Sequence, residues 1–162
     1  MPLLRILLLH PQAYRRVGWP AAVASVVAPY LLTATRVVIL EAGAQASDAA
    51  RLVVTGVVRW GIVAFFVWLL GVRLRGLPAT PTSVVQKTGL AHTPLLVLAV
   101  FPTLGGLALG TIWFVTALAA ATTSALATTH TNGWKIGGLA LSGLFIVVAL
   151  SPVDLLGIPP SP

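Results

Sequence analysis

The sequence predicts an all-α fold, a polytopic transmembrane bundle of about five spans with a short interfacial helix at the N-terminus. Of the 162 residues, 57% are hydrophobic and 8% are charged, and the mean hydropathy is +0.98. Apolar runs of about 20 residues recur along the chain, and a chain this small has no core large enough to bury them outside a bilayer. Short polar breaks separate these runs. Together these features predict an integral membrane protein.

The N-terminal segment, residues 1–16, contains an apolar run at 3–9 that is too short to cross a bilayer. The leucines of this run follow helical spacing, and Arg5, Arg15 and Arg16 accompany them. The pattern predicts a short helix that lies in the membrane interface.

The transmembrane domain is predicted over residues 17–150. Its five spans are expected at 17–40, 49–72, 84–101, 107–127 and 133–150. The first run is longer than the apolar core of a signal peptide, so we expect it to remain as a span. Pro29 should kink the first span and Pro94 should bend the third. The Pro-rich residues 151–162 are expected to form an extended tail.

Helix starts can be predicted at two places from capping patterns. Ser47 and Asp48 are expected to cap span two, where an acidic side chain favours the positive end of the helix dipole. Ser83 and Gln86 have the spacing of a capping box, which places the start of the third helix near Val84.

The distribution of basic residues predicts the orientation of the bundle. With the N-terminus inside, seven basic residues fall on the cytoplasmic side and three on the other side. The inner set is Arg5, Arg15, Arg16, Arg73, Arg75, Lys87 and Lys135; the outer set is Arg36, Arg51 and Arg59. The excess favours a cytoplasmic N-terminus and a C-terminus on the opposite side. We expect a bacterial-type inner membrane.

The net charge of +7 does not predict nucleic-acid binding, because the cations are spread beside apolar runs and not gathered on one polar face. The five Trp residues all lie near predicted span ends, as an aromatic belt at the membrane interface would place them. They are Trp19, Trp60, Trp68, Trp113 and Trp134.

Small residues repeat every four positions in the last two spans, and this spacing lets helix backbones approach closely in lipid. The residues concerned are Gly106, Gly110, Ala117, Ala121, Gly133 and Gly137. They predict either packing of spans four and five within the monomer, which we favour, or an interface to a partner subunit.

Charged residues within spans are functional candidates, because ionisable groups are costly in a bilayer. Arg59 is the deepest charge and could line an ion or lipid path. We favour a structural role, in which Arg59 extends to the headgroups or meets Glu41. Arg36 lies about one turn from the end of span one, where its side chain can reach the headgroups.

His92 and His130 are both predicted near the inner face, and imidazoles can ligate a haem or a chlorophyll-type magnesium. No ligand spacing joins them and no nearby carboxylate would orient either ring. We therefore favour polar interfacial histidines. No cofactor and no metal site is predicted, and a tetrapyrrole held by His92 or His130 is kept as the alternative.

Catalysis is not predicted, because the three acidic residues are all expected outside and leave no carboxylate near a histidine. No catalytic residue is assigned. The hydroxyl groups of span four lack a base and are expected to make helix-to-helix hydrogen bonds.

Three stretches resemble the Yip1-domain family of small polytopic membrane proteins. They are LLLHPQAYRRV at 7–17, TGLAHTPLL at 88–96 and GTIWFVTALA at 110–119. The resemblance covers most of the chain in layout, and it implies five helices with a cytoplasmic N-terminus. The acid-poor N-terminus and the Pro-rich tail depart from the family. Eukaryotic relatives are linked to small GTPases and vesicle traffic, whereas the short single-domain forms have no settled activity. The GTPase role is not carried over, because this chain lacks the long soluble N-terminal region that those relatives use.

These observations favour a non-catalytic integral membrane protein that acts as an accessory subunit or Yip1-like scaffold. Its expected partners are membrane lipids and other integral membrane subunits, with a homo-oligomer left open. The alternatives are a pigment- or haem-binding subunit of a respiratory or photosynthetic complex, and a passage for lipids or small solutes.

Overall fold

The computed structural model describes residues 11–40 and 45–150, and these are helical with no strand among them. A 3₁₀ turn, Pro11–Tyr14, precedes six α-helices. They are α1 (Trp19–Leu40), α2 (Ala46–Trp68), α3 (Pro81–Leu90), α4 (Leu96–Val100), α5 (Leu104–Ala125) and α6 (His130–Leu150). A π-helical turn, Leu69–Arg73, extends α2. The predicted apolar run at 3–9 and the predicted tail at 151–162 lie outside the described residues.

Four of these helices, α1, α2 with its π-turn, α5 and α6, are long and apolar enough to cross a membrane. The fifth pass is interrupted: α3 and α4 are joined by a 3₁₀ turn, Thr93–Leu95. Pro94 explains the interruption, because it has no amide hydrogen to donate to the preceding turn. The bundle of about five helices is therefore confirmed, with the third one broken.

The interrupted pass runs alongside α5 over its whole length. At one end the ammonium group of Lys87 donates to the carbonyl oxygen of Ser124 at 2.9 Å. In the middle the ring of His92 meets that of Phe114, with 5.1 Å between centroids. At the other end the carbonyl group of Phe101 lies against Gly106. Residues 81–100 thus traverse the bundle as α5 does, in the opposite direction.

The other helices follow the same up-and-down order. Tyr30 of α1 packs on Gly56 of α2, and Leu126 after α5 packs on Gly71 after α2. The 3₁₀ turn, the connection from α2 to α3 and the connection from α5 to α6 consequently meet at one end. We call this the basic end, since it carries Arg15, Arg16, Arg73, Arg75, Lys87 and Lys135. Leu40, Gln45, Phe101 and Leu150 lie at the opposite end.

The predicted caps of α2 and α3 are each wrong by a few residues. Helix α2 is capped by Gln45, whose backbone amide donates to the Asp48 carboxylate at 2.9 Å, so Asp48 is the third helical residue. Helix α3 begins at Pro81 because Thr80 accepts from the amide of Ser83 at 3.2 Å. A proline in the first helical turn sacrifices no hydrogen bond, since that amide has no partner within the helix.

Two connections are shorter than expected. Helix α5 starts directly after Thr103, whose hydroxyl accepts from the amide of Gly106 at 3.1 Å. At the other end of α5, the amide of Thr128 donates to the carbonyl of Thr123 at 3.2 Å and Ala127 adopts a left-handed conformation with φ 47°. This closing motif lets α6 begin at His130, within the stretch predicted as a polar break.

The buried interior is lined largely by small and β-branched residues of α2, α5 and α6, such as Val63, Ala121 and Ala140. Large apolar side chains, including Leu104, Ile112 and Phe145, point outward. Outward-facing apolar groups match a lipid environment, which supplies no hydrophobic drive to hide them. Trp60 departs from the predicted aromatic belt, because it is only 8% exposed and lies inside the bundle.

Candidate functional site

The small residues predicted on α6 face α5. A Cβ atom on Gly133 would collide with the hydroxyl of Thr123 and lie 2.7 Å from the carbonyl oxygen of Ala119. A Cβ atom on Gly137 would find Thr122 at 3.6 Å, an ordinary contact. The two glycines thus let α6 approach α5 closely, as the internal-packing interpretation predicts.

The small residues predicted on α5 also face inward. Gly106 and Gly110 are buried, and Gly106 lies against the carbonyl group of Phe101. Ala117 and Ala121 are buried as well. The carbonyl oxygen of Ala117 accepts a hydrogen bond from the Tyr14 hydroxyl at 3.3 Å. All six predicted packing residues are therefore buried within this chain.

A second set of small residues faces outward on α6. Gly138 is exposed, and a Cβ atom there would meet nothing within 4 Å. Ser142, one turn further, is exposed and donates its hydroxyl to the Gly138 carbonyl at 3.1 Å. We call Gly138, Ser142 and the exposed Phe145 the outer face of α6. Gly138 and Ser142 have the four-residue spacing that would have predicted this face, but the sequence analysis assigned the small-residue pattern to Gly133 and Gly137.

Arg59 is half-buried and lies beside α1. It is a hydrogen-bond partner of Tyr30, whose ring packs on Gly56 one turn earlier in α2. Tyr30 thus provides a polar partner for the Arg59 guanidinium where α1 packs on α2. Glu41, its other predicted partner, lies outside the described residues. Arg36 is exposed near the end of α1, as its predicted reach to the headgroups requires.

The two histidines lie apart. His92 is 2% exposed, and its Nδ1 is 2.9 Å from the Thr88 carbonyl oxygen. His130 is exposed at the basic end, and its Nε2 accepts from the Trp134 indole at 2.9 Å. His92 contacts Phe114, and Ala125 is eleven residues further along α5, which is about 17 Å at 1.5 Å per residue. One haem iron could not bind both rings.

His92 therefore lies in the middle of the bundle and not at the inner face where it was predicted. Among residues 11–40 and 45–150, no three His, Asp or Glu side chains are grouped closely enough to hold a metal ion. His92 packs against Phe114, whereas the exposed His130 ring bonds Trp134 of its own helix.

The basic end gathers cations from separate parts of the chain. The packing of Tyr14, Leu77, Val84 and Leu126 in one apolar cluster joins these parts. Lys87 is held by the Ser124 carbonyl, and the guanidinium of Arg73 stacks over the Trp68 ring at 5.1 Å. Sequence analysis placed these residues on one side of the membrane but did not predict the apolar cluster that joins their segments.

Tyr14 anchors the N-terminal turn to this end. Its side chain is fully buried, and burial raises the pKa of its hydroxyl above the ordinary value. The hydroxyl consequently stays protonated and donates to Ala117.

Comparison with protein-family models, with curated proteins and with solved structures gives no match for this chain.

Proposed function

We propose that this protein is a non-catalytic integral membrane protein that serves as a scaffold or accessory subunit, with a Yip1-like layout. Its partner would be a transmembrane helix of another membrane protein, packed on the outer face of α6. The observation that carries the proposal is the contrast between two successive glycines: Gly137 is buried and faces α5, whereas Gly138 is exposed and a Cβ atom there would meet nothing within 4 Å.

The outer face of α6 has the properties that helix association in lipid requires. A glycine in a helix is less stable than alanine by about 1 kcal/mol. Because helices in lipid associate through close backbone approach and interhelical hydrogen bonds, a small residue and a hydroxyl one turn apart favour a partner helix. Gly138 and Ser142 supply both, and Phe145 adds an exposed aromatic ring on the same face.

The orientation that we propose follows from the basic end. Its six described cations favour the cytoplasmic side of the membrane. The start of α1 would then be cytoplasmic and the end of α6 would lie on the opposite side, in a bacterial-type inner membrane.

Native mass spectrometry of the protein, extracted gently from its own membrane, tests the proposal. We expect a discrete assembly larger than the 16.8 kDa chain. Gly138→Leu should dissociate it and leave the monomer folded, because Gly138 is exposed and a Cβ atom there would meet nothing within 4 Å. Gly61→Leu is the matched control, since Gly61 is likewise exposed and has open space around a Cβ atom but lies on α2.

A lone chain or a small homo-oligomer in the wild-type sample would contradict the accessory-subunit proposal. An assembly that survives Gly138→Leu would place the partner on another face. Dissociation by both leucine variants would point to a general loss of membrane packing.

A further inference from the structure

Lys87 occupies an unusual position at the basic end. It lies in the last turn of α3, and its ammonium group donates to the carbonyl oxygen of Ser124 at 2.9 Å. That carbonyl belongs to the last turn of α5, where the helix dipole favours a cation. One hydrogen bond engages one of the three donors of an ammonium group. The Ser124 contact therefore fixes the position of Lys87 and leaves two of its N–H donors for an anion.

The N-terminal turn holds Arg15 at the same end of the bundle as this lysine. Its backbone amide bonds the carbonyl of Gln12 at 3.2 Å, and the preceding Tyr14 is tied to α5 through Ala117. Arg15 is exposed, and the residues of α5 that hold Tyr14 and Lys87, Ala117 and Ser124, are about two helical turns apart. Two like charges are thus held at one end of the bundle by separate anchors, and a bound anion would relieve the repulsion between them.

No carboxylate of the described chain balances this pair. Asp48 is the one acidic residue among residues 11–40 and 45–150, and it lies at the start of α2 at the opposite end. The other two acids, Glu41 and Asp154, lie outside the described residues. An anion bound by Arg15 and Lys87 would therefore come from outside the described chain.

We propose that Arg15 and Lys87 bind the phosphate of an anionic phospholipid headgroup. A guanidinium matches phosphate oxygens with paired donors and an ammonium adds a point charge. The position of the pair favours a lipid over a soluble anion. Trp19 and Val23, in the first turns of α1 after Arg15, are exposed and offer apolar surface to an acyl chain. Basic groups near an anionic bilayer surface attract its headgroups.

Titration of phosphatidylglycerol into the detergent-solubilised full chain tests the site, with bound lipid counted by native mass spectrometry. Arg15→Gln should weaken binding about fivefold, in line with the attraction of one basic residue to an anionic surface, and Arg15→Lys should recover most of it. Arg36→Gln is the matched control, because it removes the same charge from an exposed position at the opposite end. Phosphatidylcholine should bind more weakly to the wild type and should not distinguish the variants.

Lys87→Gln is the second test variant, and its melting temperature without lipid reports whether loss of the Ser124 contact alone disturbs the fold. Equal binding of phosphatidylglycerol by wild type, Arg15→Gln and Lys87→Gln would overturn the proposal, as would an equal loss in Arg36→Gln. Millimolar inorganic phosphate that raises the melting temperature as much as phosphatidylglycerol does would identify a soluble-anion site and overturn the lipid assignment.

Discussion

The indole Nε1 of Trp60 donates a hydrogen bond to the carbonyl oxygen of Val85 at 3.1 Å. The same ring packs on α3 at Gly89, where a Cβ atom would lie 3.1 Å from the indole. Trp60 thereby ties α2 to the interrupted pass, which Pro94 deprives of a continuous helical ladder. Through these two contacts, Trp60 holds α3 against α2 on the N-terminal side of the break.

Trp60→Phe should destabilise the bundle by about 1–2 kcal/mol, through the lost hydrogen bond and a small cavity. The Val85 carbonyl keeps a bond from the Thr88 hydroxyl at 3.2 Å, so no acceptor is left without a partner. Thermal unfolding in detergent measures the change. Trp134→Phe is the control, because Trp134 is exposed and its indole donates to His130 of its own helix. Equal melting temperatures for the two variants would refute a special role for Trp60.

Alanine substitutions at three glycines of α6 should have graded effects on the stability of the monomer. Gly133→Ala should cost about 2–3 kcal/mol, because the backbone carbonyl of Ala119 cannot retreat cheaply from the new methyl group. Gly137→Ala and Gly138→Ala should be neutral or slightly stabilising, since ordinary contact or open space surrounds the added atom. A melting temperature for Gly137→Ala as low as that for Gly133→Ala would contradict this geometry.

Ala127→Gly should stabilise the protein by about 0.5–1 kcal/mol. Ala127 has φ 47°, and a left-handed backbone strains every residue that has a Cβ atom. Ala125→Gly, two residues earlier and inside α5, is the control and should destabilise through loss of helix propensity. The prediction fails if both variants shift the unfolding midpoint downward.

Single-cysteine variants can determine the orientation, because the chain contains no cysteine. Thr82 is exposed at the basic end, and Ser47 is exposed at the opposite end. With a cytoplasmic basic end, a membrane-impermeant maleimide should label Ser47→Cys in intact cells and Thr82→Cys only after permeabilisation. The reverse pattern would invert the proposed topology.

The histidines and the tryptophans illustrate what sequence reasoning could not supply. Distance from a span end placed His92 and Trp60 near the membrane surface, whereas the structure buries both side chains between helices. Hydrogen-bond acceptors that stabilise these positions, the carbonyl groups of Thr88 and Val85, come from the interrupted pass. The way that pass packs depends on the break at Pro94. Hydrophobic periodicity along the sequence does not show how a broken helix packs against its neighbours.

The sequence by itself determined the helical class, the approximate number of passes and the grouping of basic residues at alternate connections. These features depend on the length of apolar runs and on the position of charges along the chain, and both can be read in one dimension. Only the tertiary structure decided which side of each helix faces inward. In lipid both sides of a helix are apolar, so hydropathy does not distinguish them. A rotation of about 100° per residue separates Gly137, which packs on α5, from Gly138, which does not.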